Sequence, residues 1–188
     1  SPPYLPVGLG DSLGIPVPGY RMRVVDEDGN DVRDREVGEL LVKGPGVLRG
    51  YWGDDHATSS VLEPDGWLHT GDLARRGPLG SVVFAGRKKD VITRGGFSVY
   101  AVEIEAVLEE HPSVVEAAVV PIPDERLGEV PAAAVRMAAG SSFDPVALDA
   151  HAREHLAHYK VPVRYLEVDD LPRTGTNKVQ RREVASLF

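Results

Sequence analysis

The sequence predicts an α+β fold in two parts, a small β-rich subdomain followed by a compact unit that mixes helices and strands. In the first part, short apolar runs alternate with clusters of turn formers, as expected for strands. In the second part, helical and strand periods follow one another with short connections, which compact domains prefer. We place the domain boundary after residue 86, so that the parts are residues 1–86 and 87–188.

The first part contains four predicted strands. Arg21–Val25 and Gly38–Val42 are joined across Asp26–Asn30, whose sequence DEDGN is rich in turn formers, and this arrangement is typical of a hairpin. Trp67–Thr70 and Ser81–Phe84 continue the strand pattern toward the boundary.

The second part is predicted to contain two helices among several strands. We expect a strand or hairpin near Asp90–Thr93, a helix at Val102–Glu110, strands at Val114–Val120 and Val130–Met137, a helix at Pro145–His158 and a strand at Val163–Val168. Ile104, Val107 and Leu108 fall on one side of the first helix, as in a face packed on a core. Asp144 before Pro145 marks the start of the second helix, because aspartate can accept a free amide hydrogen and proline lacks one.

Composition excludes several classes of function. The chain has 21 Lys and Arg against 29 Asp and Glu, a net charge of −8, which argues against nonspecific nucleic-acid binding. It has no cysteine, so a disulfide framework and a thiolate nucleophile are both excluded. We find no apolar run of membrane-spanning length and no signal segment, so we expect a cytoplasmic protein with no membrane span.

The segment Gly86–Glu105, GRKKDVITRGGFSVYAVEIE, is locally cationic inside this acidic chain. Four cations between residues 87 and 94 surround a single acid, which indicates that an anionic small molecule is held nearby. The following pair, Gly95 and Gly96, lacks a Cβ and therefore permits a positive φ or the close approach of a narrow ligand.

Two further motifs flank this segment in the chain. In GWLHTGDL (Gly66–Leu73), Asp72 is either a turn former after Gly71 or a carboxylate whose two oxygens accept hydrogen bonds from the two hydroxyls of a diol. Near the other end, the motif LPRTGTNKVQRREV places Lys178 on the tip of a turn built from Thr174–Asn177.

A possible metal motif, HAREH, lies on the second predicted helix. His151 and His155 are four residues apart and therefore share one face, as a metal site requires. They fall on the polar flank of the apolar stripe formed by Leu148, Ala152 and Leu156. We therefore interpret the histidines as a solvated row and assign no metal ligands in this chain.

With these motifs in this order, the chain resembles the C-terminal part of the adenylate-forming (AMP-binding) superfamily of acyl-CoA synthetases, nonribosomal adenylation domains and luciferases. The resemblance implies that residues 1–86 are the end of the large N-terminal domain, a distorted barrel-like subdomain. Residues 87–188 would be the mobile C-terminal α+β domain, with a hinge near residues 87–90. It also implies that the phosphate loop and the acyl pocket precede Ser1, so we expect a fragment that is inactive alone.

The resemblance implies roles for three nucleotide-binding residues. Asp72 and Arg87 match the positions that contact the ribose, and Lys178 matches the catalytic lysine that stabilises charge as a carboxylate attacks the α-phosphate of ATP. Asn177 departs from the glycine that usually precedes this lysine. Phe84 could line the nucleoside site or could be an ordinary core aromatic.

The resemblance also implies a moving domain. Lys89 matches the hinge about which the small domain rotates between half-reactions, and Gly95 and Gly96 match the loop that leaves room for the pantetheine arm of CoA. Arg153 lies where one branch contacts the CoA phosphate, although a solvent-facing cation is the simpler interpretation. Ala101 replaces a proline that often precedes the acidic helix.

GRKKDVITRGG resembles the CoA-ligase branch most. The function implied is an AMP-forming acid–CoA ligase, a fatty-acid–CoA ligase first, whose substrates and cofactors are a small carboxylic acid, ATP with Mg²⁺, and CoA. Its partner would be the N-terminal domain of the same chain. The alternatives are a nonribosomal-type amino-acid adenylation domain and a noncatalytic module that binds a nucleotide or a partner. The acyl group itself, fatty or aryl, stays open.

Overall fold

The computed structural model describes residues 12–34 and 36–188. The chain divides into two compact units, Ser1–Lys89 and Asp90–Phe188, each with its own sheet. Both sheets are largely antiparallel and are accompanied by short helices, which confirms the predicted α+β class.

The first unit is built on a five-stranded antiparallel sheet in the order β1-β5-β4-β3-β2. Its elements are β1 (Ser12–Gly14), β2 (Arg21–Val25), β3 (Val37–Lys43), α1 (Asp55–Val61), β4 (Leu68–Arg76) and β5 (Val82–Arg87). The four predicted strands are confirmed, whereas β1 and α1 were not predicted. No predicted strand or helix includes residues 1–11 or residue 35, which lie outside the described residues.

The hairpin between β2 and β3 begins as its turn chemistry predicts. Asp26 Oδ1 accepts hydrogen bonds from the amides of Asp28 (3.0 Å) and Asn30 (2.9 Å), and Gly29 takes a positive φ of 80°. Apolar residues from four strands form the core beneath it: Val24, Leu40, Ala74 and Val82, with Val32 from the connection.

The second unit contains five strands and three helices. They are β6 (Val91–Arg94), β7 (Phe97–Tyr100), α2 (Ala101–Glu109), β8 (Val114–Asp124), β9 (Gly128–Met137), α3 (Pro145–His155), β10 (Arg164–Glu167) and α4 (Arg181–Ala185). The sheet runs β10-β9-β6-β7, β8 pairs with β9, and β10 is parallel to β9 while the other pairs are antiparallel.

Both faces of this sheet are covered. On one face, the predicted stripe of α2 is confirmed, because Ile104 and Leu108 are fully buried in one core cluster with Leu148 of α3. On the other face, Val184 of the unpredicted helix α4 packs with Ala118, Val120 and Ala134. Alternate residues of β8 and β9 therefore point into two different cores, as the two-residue period of a strand requires.

Helix α3 differs from its predicted extent at one end. Asp144 caps it as predicted, because its Oδ1 accepts hydrogen bonds from the amides of Val146 (3.0 Å) and Ala147 (3.1 Å). The helix ends at His155 instead of His158, because Leu156 adopts an extended backbone with φ −118° and ψ 149°. None of the helices in the described residues combines the length and apolar character needed to cross a bilayer.

Candidate functional site

Asp72 and Arg87 form an ion pair at the end of the ladder between two neighbouring strands, β4 and β5. They are register partners in the β4–β5 ladder, and Arg87 Nε lies 3.1 Å from Asp72 Oδ1. The side chains are 32% and 51% exposed, so a ligand can reach the carboxylate and the guanidinium together. A carboxylate beside a planar array of N–H donors suits a vicinal diol, which both donates and accepts hydrogen bonds.

A bulge in β4 aims Asp72 at this position. Glu39 of β3 pairs with Leu73 of β4, and Leu41 of β3 pairs with His69 of β4. Between these two pairs β3 has one residue and β4 has three, so β4 carries two extra residues. Gly71 lies in the bulge with a φ of +72°, a conformation that glycine adopts without strain.

Hydrogen bonds from Thr70 stabilise the bulge. Its Oγ1 donates to the carbonyl of Leu40 (2.7 Å) and accepts from the amide of Asp72 (3.1 Å). The HTGD sequence is therefore more than a turn, because the threonine and the glycine together set the direction in which the aspartate leaves the strand.

The carboxylate of Glu39 lies behind the bulge and is only 11% exposed. Its Oε2 lies 3.0 Å from Lys88 Nζ and 3.2 Å from His69 Nδ1, and its Oε1 accepts from the amide of Gly71 at 3.3 Å. Burial raises the pKa of the Glu39 carboxyl, but hydrogen bonds from Lys88 and His69, together with their charges, outweigh burial and lower that pKa below its usual value. Glu39 is therefore an anion at neutral pH.

An open cleft of about 440 Å³ lies at this edge of the first unit. It is lined by Thr70, Gly71, Arg87, Lys88 and Lys89. Three of the five residues are cations, so the cleft has the charge that a nucleotide or another phosphorylated ligand needs.

Lys89 is exposed, and its ammonium makes no ion pair or hydrogen bond with the rest of the described chain. It lies in a short 3-10 turn, Lys88–Asp90, and is the last residue of the first unit. Nothing in the described contacts holds its side chain in one place.

In the second unit, Gly95 and Gly96 form the two-residue turn between β6 and β7, which confirms the hairpin alternative predicted near Asp90–Thr93. Both have positive φ, 57° and 86°, which is the geometry of a tight hairpin turn. The Gly95 amide donates to the carbonyl of Leu127 at 2.8 Å, and a Cβ on Gly95 would lie 3.1 Å from the Leu127 side chain. The glycine at 95 thus serves packing as well as the turn.

Lys178 lies on the exposed tip of a small β-loop in the second unit. The amide of Thr174 donates to the carbonyl of Lys178 (2.8 Å), and the amide of Asn177 donates to the carbonyl of Thr174 (2.9 Å). Asn177 adopts a φ of +63°, which explains why glycine would suit this position and why asparagine, the next most tolerant residue type, can replace it. The lysine ammonium has no partner among the described residues.

Arg173 and Arg181 anchor the two ends of this loop. From the sequence they were recognised only as cations of the motif LPRTGTNKVQRREV, with no partner assigned to either. Arg173 donates to the carbonyl of Asn177 (3.1 Å) and pairs with Glu116 of β8. Arg181 reaches inward to Glu105 (2.5 and 2.9 Å), and this pairing outweighs burial in raising the pKa of the guanidinium. These contacts span 57 and 76 residues of chain, so no local pattern could have indicated them.

The weaker sequence candidates have ordinary surroundings. Phe84 is 39% exposed, and Arg153 forms an i,i+4 pair with Asp149 on α3. His151 Nε2 lies 2.9 Å from the carbonyl of Val107, and His155 Nδ1 lies 2.9 Å from the carbonyl of His151. Within residues 12–34 and 36–188, no three potential metal-ligating side chains come together.

Comparison with known proteins gives matches along the chain. A family profile described as "AMP-binding enzyme C-terminal domain" matches residues 103–178, and a second, "AMP-binding enzyme", matches residues 5–52. The 2-succinylbenzoate–CoA ligase of Geobacillus kaustophilus is 42% identical over 100% of this chain and 38% of its own length. The long-chain-fatty-acid–CoA ligase of Yersinia pestis is 42% identical over 97% of this chain and 32% of its own length.

The fold matches solved structures equally well. A crystal structure of ATP-bound MatB from Rhodopseudomonas palustris superposes with a TM-score of 0.89 and 36% identity, over 94% of this chain and 35% of the other. The chain thus spans about a third of the length of the curated relatives it matches. With both profiles in their expected order and the same fold, the chain belongs to the AMP-binding, or adenylate-forming, enzyme family.

Proposed function

We propose that this chain is part of an AMP-forming acid–CoA ligase. In this reaction a carboxylate attacks the α-phosphate of ATP, pyrophosphate leaves, and the thiol of CoA then displaces AMP from the acyl-adenylate. The observation that supports the proposal most is the exposed Asp72–Arg87 pair at the edge of a cationic cleft, within a chain whose curated relatives include CoA ligases.

Asp72 and Arg87 would hold the ribose of ATP. The carboxylate would accept hydrogen bonds from the ribose hydroxyls, and the guanidinium, whose Nε already lies 3.1 Å from Asp72 Oδ1, would keep that carboxylate oriented. Holding the nucleotide by its ribose fixes the α-phosphate at a constant distance from the acid, so that binding energy is converted into positioning.

Lys178 would supply positive charge during the first half-reaction. Attack on the α-phosphate concentrates negative charge on the phosphoryl oxygens, and an ammonium on an exposed tip, without an ion-pair partner in the described chain, is available to stabilise it. Thr174 and Asn177 keep the loop closed, so the lysine is presented on a defined turn.

The second half-reaction would use the hairpin turn at Gly95 and Gly96. Without side chains the turn can lie against the narrow pantetheine arm of CoA. We propose that the second unit rotates about Lys89, near residues 87–90, to bring this turn to the acyl-adenylate. The free side chain of Lys89 and its place at the end of the first unit support a hinge there.

Mg²⁺ would accompany ATP and neutralise its phosphates. The described residues bring no three potential ligands together, so we expect the phosphates and the rest of the protein to hold it. Because the relatives named above act on a succinylbenzoate and on long-chain fatty acids, we propose fatty acids first and aryl acids second as substrates. ATP and CoA are both supplied in the cytoplasm, where we therefore place the reaction.

The test is acid-dependent release of AMP by the full-length polypeptide that contains this chain, with and without CoA, across fatty, aryl and amino acids. We expect AMP turnover that requires both an acid and CoA. Turnover with amino acids and no CoA requirement would favour an amino-acid adenylation domain. Absence of AMP with every acid would favour a noncatalytic binding module.

A further inference from the structure

Glu39 is one of two polar residues that count as buried in the part of the chain the structure describes, with 9% of its surface exposed. A carboxylate in this position is costly, because it leaves water and must be matched by donors inside the protein. A strand residue with no further role would be expected to be apolar here, since its neighbours Leu40 and Leu41 are both core residues. The donors that Glu39 contacts indicate what the carboxylate does.

Each oxygen of Glu39 contacts a neighbour of one member of the Asp72–Arg87 pair. Oε1 accepts from the amide of Gly71, which precedes Asp72, at 3.3 Å. Oε2 accepts from the ammonium of Lys88, which follows Arg87, at 3.0 Å. One side chain from β3 therefore contacts the backbone of β4 on one side of the pair and the side chain of Lys88, directly after β5, on the other.

The hydrogen bond from the Gly71 amide to the Glu39 carboxylate stabilises the bulge in β4. The extra residues of β4 have no counterpart on β3, so their amides cannot use the regular ladder, and the Gly71 amide finds its acceptor in the Glu39 carboxylate instead. Without that acceptor, the bulge would lose a hydrogen bond at the residue directly before Asp72.

We propose that Glu39 is a positioning residue for ribose binding, because its carboxylate holds the bulge at Thr70–Asp72 in the shape that pairs Asp72 with Arg87. This inference rests on the proposed role of Asp72 and Arg87 in holding the ribose of ATP. Glu39 itself touches neither the nucleotide nor the acid. It acts through the direction in which Asp72 leaves the strand.

A ribose-specific readout separates positioning from general damage to the fold. In the full-length polypeptide, kcat/KM is measured for ATP, for 2′-deoxy-ATP and for 3′-deoxy-ATP, and the ratio of ATP to each analogue gives the ribose selectivity. Asp72→Ala serves as the reference variant that removes the hydroxyl contacts. Glu63→Gln is the matched control, because Glu63 contacts the far nitrogen of His69 (3.0 Å) and not Gly71 or Lys88.

In Glu39→Ala the selectivity is expected to fall about tenfold, toward the value in Asp72→Ala, because ATP loses the contacts of both hydroxyls whereas each deoxy analogue, which has only one of them, loses less. Glu39→Gln keeps an oxygen acceptor for the Gly71 amide, and its selectivity should stay within about threefold of the unchanged enzyme, as should that of Glu63→Gln. If Glu39→Ala does not fold, Glu39→Asp replaces it, because this variant keeps the charge and withdraws the carboxylate by one methylene; the same loss is expected.

Two results would overturn the inference while leaving the ribose contacts intact. One is unchanged selectivity in Glu39→Ala, or in Glu39→Asp, when Asp72→Ala has lost it. The other is an equal fall of kcat/KM for ATP and for both analogues. If Asp72→Ala itself keeps full selectivity, the ribose role of Asp72 is wrong and the role of Glu39 is wrong with it.

Discussion

Asp72 and Arg87 face each other across strands β4 and β5 at a point where the ladder is irregular on both sides. The bulge opposite Glu39 lies on one side, and the register of β4 with β5 shifts between Leu73 and Ala74 on the other. The 3.1 Å ion pair therefore lies between two interruptions of the regular ladder. Arg87 lines the open cleft, and Asp72 pairs with it from the neighbouring strand.

Replacing Arg87 by lysine tests the contribution of its planar donors. Arg87→Lys keeps the charge beside Asp72 but loses the fixed array of N–H groups, so KM for ATP should rise about tenfold while kcat changes little. Steady-state kinetics on the full-length polypeptide measure both values. Arg75→Lys is the matched control, because Arg75 is an exposed arginine on the neighbouring strand β4.

An unchanged KM for ATP in Arg87→Lys would show that charge alone suffices at this position. An equal rise of KM in Arg75→Lys would show that the effect is not specific to the cleft.

Two substitutions of Asn177 test whether the backbone geometry of the turn matters for adenylation. Its φ of +63° lies in the left-handed region, so Asn177→Gly should leave adenylation unchanged, whereas the β-branched residue in Asn177→Val should strain the loop by about 1–2 kcal/mol. We expect acid-dependent pyrophosphate exchange to fall about tenfold in Asn177→Val only. Equal rates in the two variants would show that the tip needs no defined turn.

Arg181 links the base of the Lys178 loop to the core of the second unit. Arg181→Ala leaves the Glu105 carboxylate, 14% exposed, without its main partner, so we expect a loss of about 2–4 kcal/mol in local stability. Hydrogen exchange at the amides of β8 measures this, because Glu105 also accepts from the Val119 amide at 2.7 Å. Arg182→Ala is the control, and since Arg182 is exposed its effect should stay within about 0.5 kcal/mol.

The buried phenol of Tyr165 should make the folding stability of the chain fall at alkaline pH. Burial, with a smaller contribution from Asp149, raises the pKa of its phenol, and its hydroxyl is buried without a hydrogen-bond partner among the described residues. As pH rises above the ordinary value of about 10, the unfolded chain releases this proton and the folded chain retains it, so stability falls with pH.

Tyr165→Phe should remove that dependence and should cost no stability at pH 8, where both states keep the phenol protonated. Urea unfolding of both proteins between pH 8 and pH 11 checks the two expectations. A loss of more than about 1 kcal/mol at pH 8 would indicate that the hydroxyl has a partner after all.

Much of the fold could be predicted from the sequence because its strands and helices carry clear periods. The stripe of Ile104 and Leu108 and the cap at Asp144 were confirmed as local patterns. Short elements were missed where the period is too brief to recognise, as in α1 and α4, which have seven and five residues. The early end of α3 was missed because it depends on the backbone at Leu156 and not on a proline or glycine.

The site was less predictable than the fold. Motif resemblance indicated Asp72 and Arg87 singly, but their pairing depends on strand register, which the sequence does not state. Glu39 lies 32 residues from Gly71 and 49 from Lys88, and it resembles any polar strand residue until the bulge is seen. A residue that positions a site through contacts with residues so far away in the sequence can be recognised only when the tertiary contacts are known.

The most direct test of the account separates the two half-reactions in Lys178→Ala. The ammonium of Lys178 is exposed and has no partner in the described chain, whereas its backbone contacts are kept in alanine, so removing the side chain should leave the fold intact. We predict that acid-dependent exchange of pyrophosphate into ATP falls about 10²–10³-fold, while the release of AMP from a supplied acyl-adenylate and CoA stays within about threefold. Equal loss of both half-reactions, or full retention of pyrophosphate exchange, would contradict the assignment of Lys178 to adenylation.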